Sequence, residues 1–268
     1  MSSPRIKIYT RSFDLRLYSF AKGLFQDIKG PDGNPIVCKR LTDCSADGYF
    51  YRMLNDKECD IAVNIDEDAF IIDPQAVTDL ITAMVNQPDC ANIGYSDGTA
   101  ATTFRNKIVT NPFFNVLNLR LIRTKYDKKA LKRDYNDAEP YYPFFKWMAK
   151  EFDTVYLPCE RHSDGRTTVA MDTERRVVCL HTWFSRFYSM PKWMIHISDK
   201  SASAQKSRID AIIREAYATR GILVPQFTAG DRIRFAGDKT IRWIIKVPQR
   251  ISRWPYKIKR KICRKFQS

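Results

Sequence analysis

No Cys-x-x-Cys pair, no glycine-rich phosphate loop and no long apolar run occurs in these 268 residues. Each absence removes a class of protein. The seven cysteines (38, 44, 59, 90, 159, 179 and 263) have neither zinc-site spacing nor a disulfide framework. Several lie in apolar runs, where cysteine behaves as a small hydrophobe, and their odd number points to a reducing compartment. Gly-x-Gly-x-x-Gly and Gly-Lys-Ser are both missing, which argues against dinucleotide and P-loop chemistry. A serine nucleophile elbow is missing too. No stretch approaches the ~18 apolar residues of a spanning helix. Met1-Ser-Ser-Pro-Arg leads straight into a predicted strand without the pattern of a signal peptide, so a cytoplasmic location is expected. Internal repeats and low-complexity segments are absent.

Apolar residues make up 44% and aromatics 13% of the chain, enough for one sizeable α/β domain with an appendage. The net charge of +15 is lopsided. From Arg232 onward there are thirteen Lys or Arg against one acid, Asp238, a net +12 that leaves only +3 for residues 1–231. Within that basic end, Ile241, Ile244, Val247, Ile251, Trp254, Ile258, Ile262 and Phe266 recur every three or four residues, interrupted at Pro248 and Pro255. An apolar stripe among cations suits an anionic membrane surface; nucleic acid requires no such stripe and is not expected.

The most informative stretch is Cys59 to Pro74. An apolar run, Ile61 to Ile65, ends in Asp66-Glu67-Asp68, and Asp73-Pro74 then opens a helical pattern. A buried strand finishing in acids is how an open α/β sheet presents ligands at its carboxyl edge. Asp66 and Asp68 are two apart, so on extended backbone they project to one side. Such a pair is relieved by a divalent cation, and hard oxygen ligands with open positions suit Mg²⁺ or Mn²⁺ on a diphosphate.

Strands are predicted at 5–10, 35–41, 61–65, 90–95, 116–123, 153–157 and 177–180, and helices at 14–28, 47–54, 74–86, from 136 and at 201–220. Residues 99–112 read as a loop over the site. The β-α-β-α-β order implies a doubly wound sheet and places Asp97 at a strand end beside Asp66. His181 and Arg186 follow a late strand; the planar fork of arginine suits phosphate.

This order resembles the GT-A glycosyltransferases, most nearly the large inverting family that includes bacterial polysaccharide synthases. The matching pieces are Ile6 to Ser12, Asn64-Ile65-Asp66-Glu67-Asp68, Asp137-Ala138-Glu139 (the family has an adjacent Glu-Asp pair) and Val155-Tyr156-Leu157-Pro158, over roughly residues 5–190. The resemblance implies a GT-A-like, Rossmann-like mixed and mostly parallel sheet flanked by helices. It implies an enzyme moving a sugar from a nucleotide-diphosphate sugar to a glycan or lipid-linked acceptor in surface-polysaccharide synthesis. Thr10, Arg11, Ser12, Asp43, Asp66 and Arg186 would contact the nucleotide; Asp66, Asp68 and His181 would hold Mn²⁺ or Mg²⁺. Glu139, or else Asp137, would be the general base, with Asp97 touching donor sugar or acceptor. The expected division is a catalytic domain over 1–198, a helical extension over 199–230 and a basic appendage over 231–268, whose residues 240–268 lie on the cytoplasmic membrane face. The alternatives are a nucleotidyltransferase with a similar acidic site and a non-catalytic basic module binding membrane or nucleic acid.

Overall fold

Alternating apolar side chains on the central strands decide the architecture. Along β1 (Ile6–Arg11), Ile8 joins one core and Tyr9 the other; along β3 (Ile61–Ile65), Val63 and Ala62 do the same. Both faces of the sheet are therefore covered, as a largely parallel sheet requires. The computed structural model describes residues 3–44, 48–97, 107–131, 137, 139–185, 188, 202–242 and 244–245.

Six strands form the main sheet. Its order is β2 (Val37–Leu41), β1, β3, β6 (Thr110–Asn118), β5 (Cys90–Ser96) and β7 (Asp153–Leu157). Five run parallel to one another, and β6 alone is reversed between β3 and β5. Helices α1 (Leu15–Gly23) and α3 (Pro74–Asn86) cover one face; α2 (Gly48–Asn55), α4 (Leu119–Lys125) and α5 (Tyr142–Glu151) cover the other. The chain is a mixed α/β protein with a Rossmann-like sheet. A second, antiparallel sheet, ordered β4 (Ala69–Ile71), β10 (Val177–Thr182), β9 (Thr167–Met171) and β8 (Cys159–Arg161), leaves the end of β3 through β4. Helix α6 (Ala202–Thr219) packs Ile209, Ile212 and Ile213 into the same core as Ile8, so the expected boundary near 199 does not separate two cores.

Local chemistry sets the helix starts. Asp14 and Asp73 accept the first amides of α1 and α3, and Pro74 occupies the first turn. One assignment needs correction. The predicted strand over 116–123 stops at Asn118, whose side chain accepts the Leu121 amide, and α4 begins there. Alternation in Leu117-Asn118-Leu119 continued the strand pattern, and the capping asparagine in its middle broke it.

From α4, Arg123 donates to the carbonyls of Leu54 (2.8 Å), Asp56 (2.7 Å), Cys59 (2.8 Å) and Met53 (3.3 Å). It joins the end of α2 to the turn entering β3. Arg123→Met is expected to remove about 2–3 kcal/mol, since charged hydrogen bonds to carbonyls are worth more than neutral ones. A urea midpoint lowered without a change in slope checks this.

A further helix, α7, occupies residues 229–242, with 244 and 245 also helical. Thr228 and Asp231 form its capping box: Asp231 accepts the Thr228 amide (3.0 Å) and Thr228 Oγ1 accepts the Asp231 amide (3.1 Å). The expected division at 230/231 falls inside this helix. Among the described residues no helix is long and apolar enough to cross a membrane.

Candidate functional site

All five residues of β3 are buried, and the chain then turns through Asp66, Glu67 and Asp68 before entering β4. The three acids are themselves buried, 9%, 6% and 6% exposed. They do not share one task. Glu67 Oε2 accepts from Ser12 Oγ (2.7 Å), the Asp14 amide (2.9 Å) and the Phe13 amide (3.0 Å), so it clamps the loop between β1 and α1. Burial pushes its carboxyl up to about 8 against the pull of those donors.

Asp66 and Asp68 face other partners. Arg11 Nη2 lies 3.7 Å from Asp66 Oδ2, and its guanidinium sits near the rings of Tyr49 and Phe13, 5.3 and 5.4 Å from their centroids. His181 Nε2 is 3.7 Å from Asp68 Oδ1 because β10 pairs with β4 with His181 opposite Ala69. Its ring stacks on Phe113 at 4.3 Å and 6°. Burial pushes both aspartates up to about 6, opposed at Asp66 by Arg11 and at Asp68 first by a hydrogen bond from Ser185 and then by Arg11; for Asp66 the neighbouring Asp68 adds to the rise. Burial pushes His181 down to about 4, leaving a neutral imidazole. Asp66 Oδ1, Arg11 Nε and His181 Nδ1 are buried without a hydrogen-bond partner. Such orphaned atoms on one cluster are the mark of a site prepared for something else.

Two carboxylates, one with an unbonded oxygen, fit a hard cation that takes its remaining ligands from a phosphate and water. Among the described residues no three carboxylate, histidine or cysteine groups are placed to hold a metal ion together. His181, expected to complete the shell, stands against Asp68 without making a three-ligand set.

Asp97 lies at the same edge, as the strand order implied. The Asp66 amide donates to Phe113 O (2.9 Å) and the Asp97 amide to Val109 O (2.8 Å). The two acids thus flank the start of β6, one on either side, against positions four residues apart along it. Asp97 accepts from Asn111 Nδ2 (2.6 Å) and Tyr142 Oη (2.5 Å). Asp137 is buried and ion-paired with Lys146. Glu139 is half-buried, and its carbonyl accepts the Tyr142 amide at the start of α5.

The predicted nucleotide residues divide. Thr10 is buried at the end of β1, and Ser12 bridges Glu67 and Arg40, whose Nε donates to it at 2.9 Å. Asp43, with its backbone at φ 57°, is ion-paired with Arg242 of α7. Arg40 in turn holds Asp238 of α7 through both terminal nitrogens (2.9 and 3.0 Å). Arg186 and the greater part of the loop over 99–112 lie outside the described residues, and β6 begins at Thr110. The clamping role of Glu67 and the docking of α7 went unread in the sequence. Both left a trace: the middle acid of the triplet points opposite to its neighbours, and Asp238 is the sole acid in a basic run.

No protein-family model and no curated protein matches the chain. Among solved structures it is similar to A197 from STIV, at 17% identity and TM-score 0.38 over 65% of this chain and 93% of that one. It is also similar to a cytidylyltransferase from Leptospira borgpetersenii, at 14% identity and TM-score 0.42 over 84% of this chain and 99% of the other. Likenesses of this size carry no argument about activity.

Proposed function

We propose that the chain is a glycosyltransferase of GT-A type, using a nucleotide-diphosphate sugar and a divalent metal, and acting on a glycan or lipid-linked acceptor at the cytoplasmic membrane face. The supporting observation is the buried Asp66 and Asp68 pair at the carboxyl edge of the sheet, with Asp66 Oδ1 unbonded. Mn²⁺ or Mg²⁺ held by the two aspartates would neutralise charge on the departing diphosphate. Arg11, fixed between Tyr49 and Phe13, adds a cation at the same place. In an inverting displacement the acceptor oxygen bonds to the anomeric carbon, the bond from that carbon to the diphosphate breaks, and a carboxylate takes the acceptor proton. Glu139, or else Asp137, is assigned as that base from the match of Asp137-Ala138-Glu139 to the family's acidic pair. Asp97 then positions donor or acceptor.

A nucleotidyltransferase is the second reading. It is favoured by Arg11, a part-buried cation at the end of β1 facing the acids, where a nucleoside triphosphate would place its phosphates. Products separate the two. With UDP-, GDP- and CMP-sugars and Mn²⁺, the first reading expects nucleotide release that stops on chelation. Pyrophosphate release from a nucleoside triphosphate and a sugar phosphate selects the second. Neither product with any donor rejects both and leaves a non-catalytic binding module.

A further inference from the structure

Helix α7 shows its apolar residues to solvent. Its packed side is defined by three contacts: Phe235 stands edge-on to Phe227 (4.9 Å, 90°), Asp238 takes the fork of Arg40, and Arg242 pairs with Asp43. At about 100° per residue, Ile233, Ile244 and Ile241 fall within about 80° of arc and about 60° or more from those contacts, while Ile245 falls about 20° from Asp238, at the border of the packed side. Ile233, Ile241 and Ile244 are 75%, 54% and 58% exposed, and Leu223, in the segment leading to the helix, is 93% exposed. Scattered exposed apolar residues are ordinary, but three gathered on one helix face are not. Gly237 lies in the same arc, and a Cβ there would meet nothing within 4 Å.

Charge identifies what covers this face. The one acid after Arg232 is Asp238, and it is already held by Arg40 and Arg242. The ridge is thus set in a segment of net positive charge, the complement of an anionic bilayer. A second copy of the chain would bring the same charge and be repelled.

We infer that the Ile233, Ile241 and Ile244 face of α7 is the surface by which the protein lies on an anionic bilayer. This deepens the membrane placement proposed above and moves the contact from the basic tail to a helix fixed on the catalytic sheet. Arg40 links that helix to Ser12 (2.9 Å), and Ser12 links to Glu67 (2.7 Å). A continuous set of hydrogen bonds therefore holds the acidic edge in one orientation to the bilayer, as a lipid-linked acceptor requires.

The test uses the full-length chain carrying Ile233→Asp and Ile241→Asp, with flotation on vesicles of phosphatidylcholine and phosphatidylglycerol in equal parts. Binding is expected to weaken roughly tenfold or more, because two side chains leave the apolar boundary. The melting temperature stays unchanged, because neither side chain is buried. Binding equal to the unsubstituted chain overturns the inference. So does complete loss on deleting residues 246–268 with no loss in the isoleucine variant, which assigns binding to the tail alone. Dissociation of an oligomer by light scattering with vesicle binding intact also overturns it, and assigns the face to a second copy. Flotation needs no turnover, so failure of the transferase reading would show in the donor assay and leave this result standing.

Discussion

Asp68→Asn and Asp66→Asn are each expected to abolish transfer and to raise the melting temperature of the ligand-free protein. Burial opposes ionisation of both side chains, and neither Arg11, 3.7 Å from Asp66, nor Ser185 and Arg11 at Asp68 bring them back to the ordinary carboxylate range. Removing the charge at 68 relieves a buried carboxylate whose ionisation the fold opposes, a gain on the order of 2 kcal/mol at neutral pH for a group raised to about 6. Removing the charge at 66 is expected to gain a like amount, since that group is raised to the same value with Arg11 already beside it. Activity falls about 1,000-fold or more in both, the scale on which a charge-stabilising group acts. Thermal melts beside donor turnover check all four values. Loss of stability with retained activity in Asp68→Asn would make the acids structural.

The same groups fix the pH dependence of the ligand-free protein. A carboxyl raised in the folded state stabilises fully below its unfolded value, near 4, and that stability is lost as pH rises through the folded value, about 6 for Asp66 and Asp68. His181 works the other way: lowered to about 4, it stabilises above the unfolded value near 6.5, and this is lost as pH falls toward 4. Two carboxyls outweigh one imidazole, so these three groups together make the ligand-free protein less stable at pH 6.5 than at pH 4.5. Binding of a cation and diphosphate favours the ionised aspartates and reverses that slope.

How much of this could be read beforehand follows from the range of each interaction. The strand entering Asp66, the caps at Asp14 and Asp73, and Asp97 at the same edge were legible, because periodicity and capping act over a few residues. The reversed β6 between β3 and β5 was not. Its alternation reads alike in either direction, and only pairing with both neighbours fixes it. Strands β8 and β9 escaped notice because each is short and the turn at Asp164-Gly165 dominates the local pattern. The partners of Asp43 and Arg40 lie almost two hundred residues away on α7, beyond any local signal. The Thr228-x-x-Asp231 box that starts this helix was local and could have been read.

Glu67 gives the second large effect. Glu67→Ala is expected to destabilise the protein by about 3 kcal/mol or more, since three donors, two of them main-chain amides, lose a common acceptor in a buried place. Glu67→Gln is expected to stay within about 1 kcal/mol of the unsubstituted chain, because a carboxyl raised to about 8 is largely neutral at pH 7 and its amide isostere keeps an oxygen for the same donors. The pair of variants separates shape from charge. If Glu67 worked through its charge, for instance as a third metal ligand, Gln would fail in turnover as severely as Ala while matching the unsubstituted melting temperature. If it works as the clamp described above, Gln keeps both stability and turnover. Ala instead loses stability and frees the loop carrying Ser12, Phe13 and Asp14, so that hydrogen exchange at the Phe13 and Asp14 amides quickens before the rest of the sheet opens.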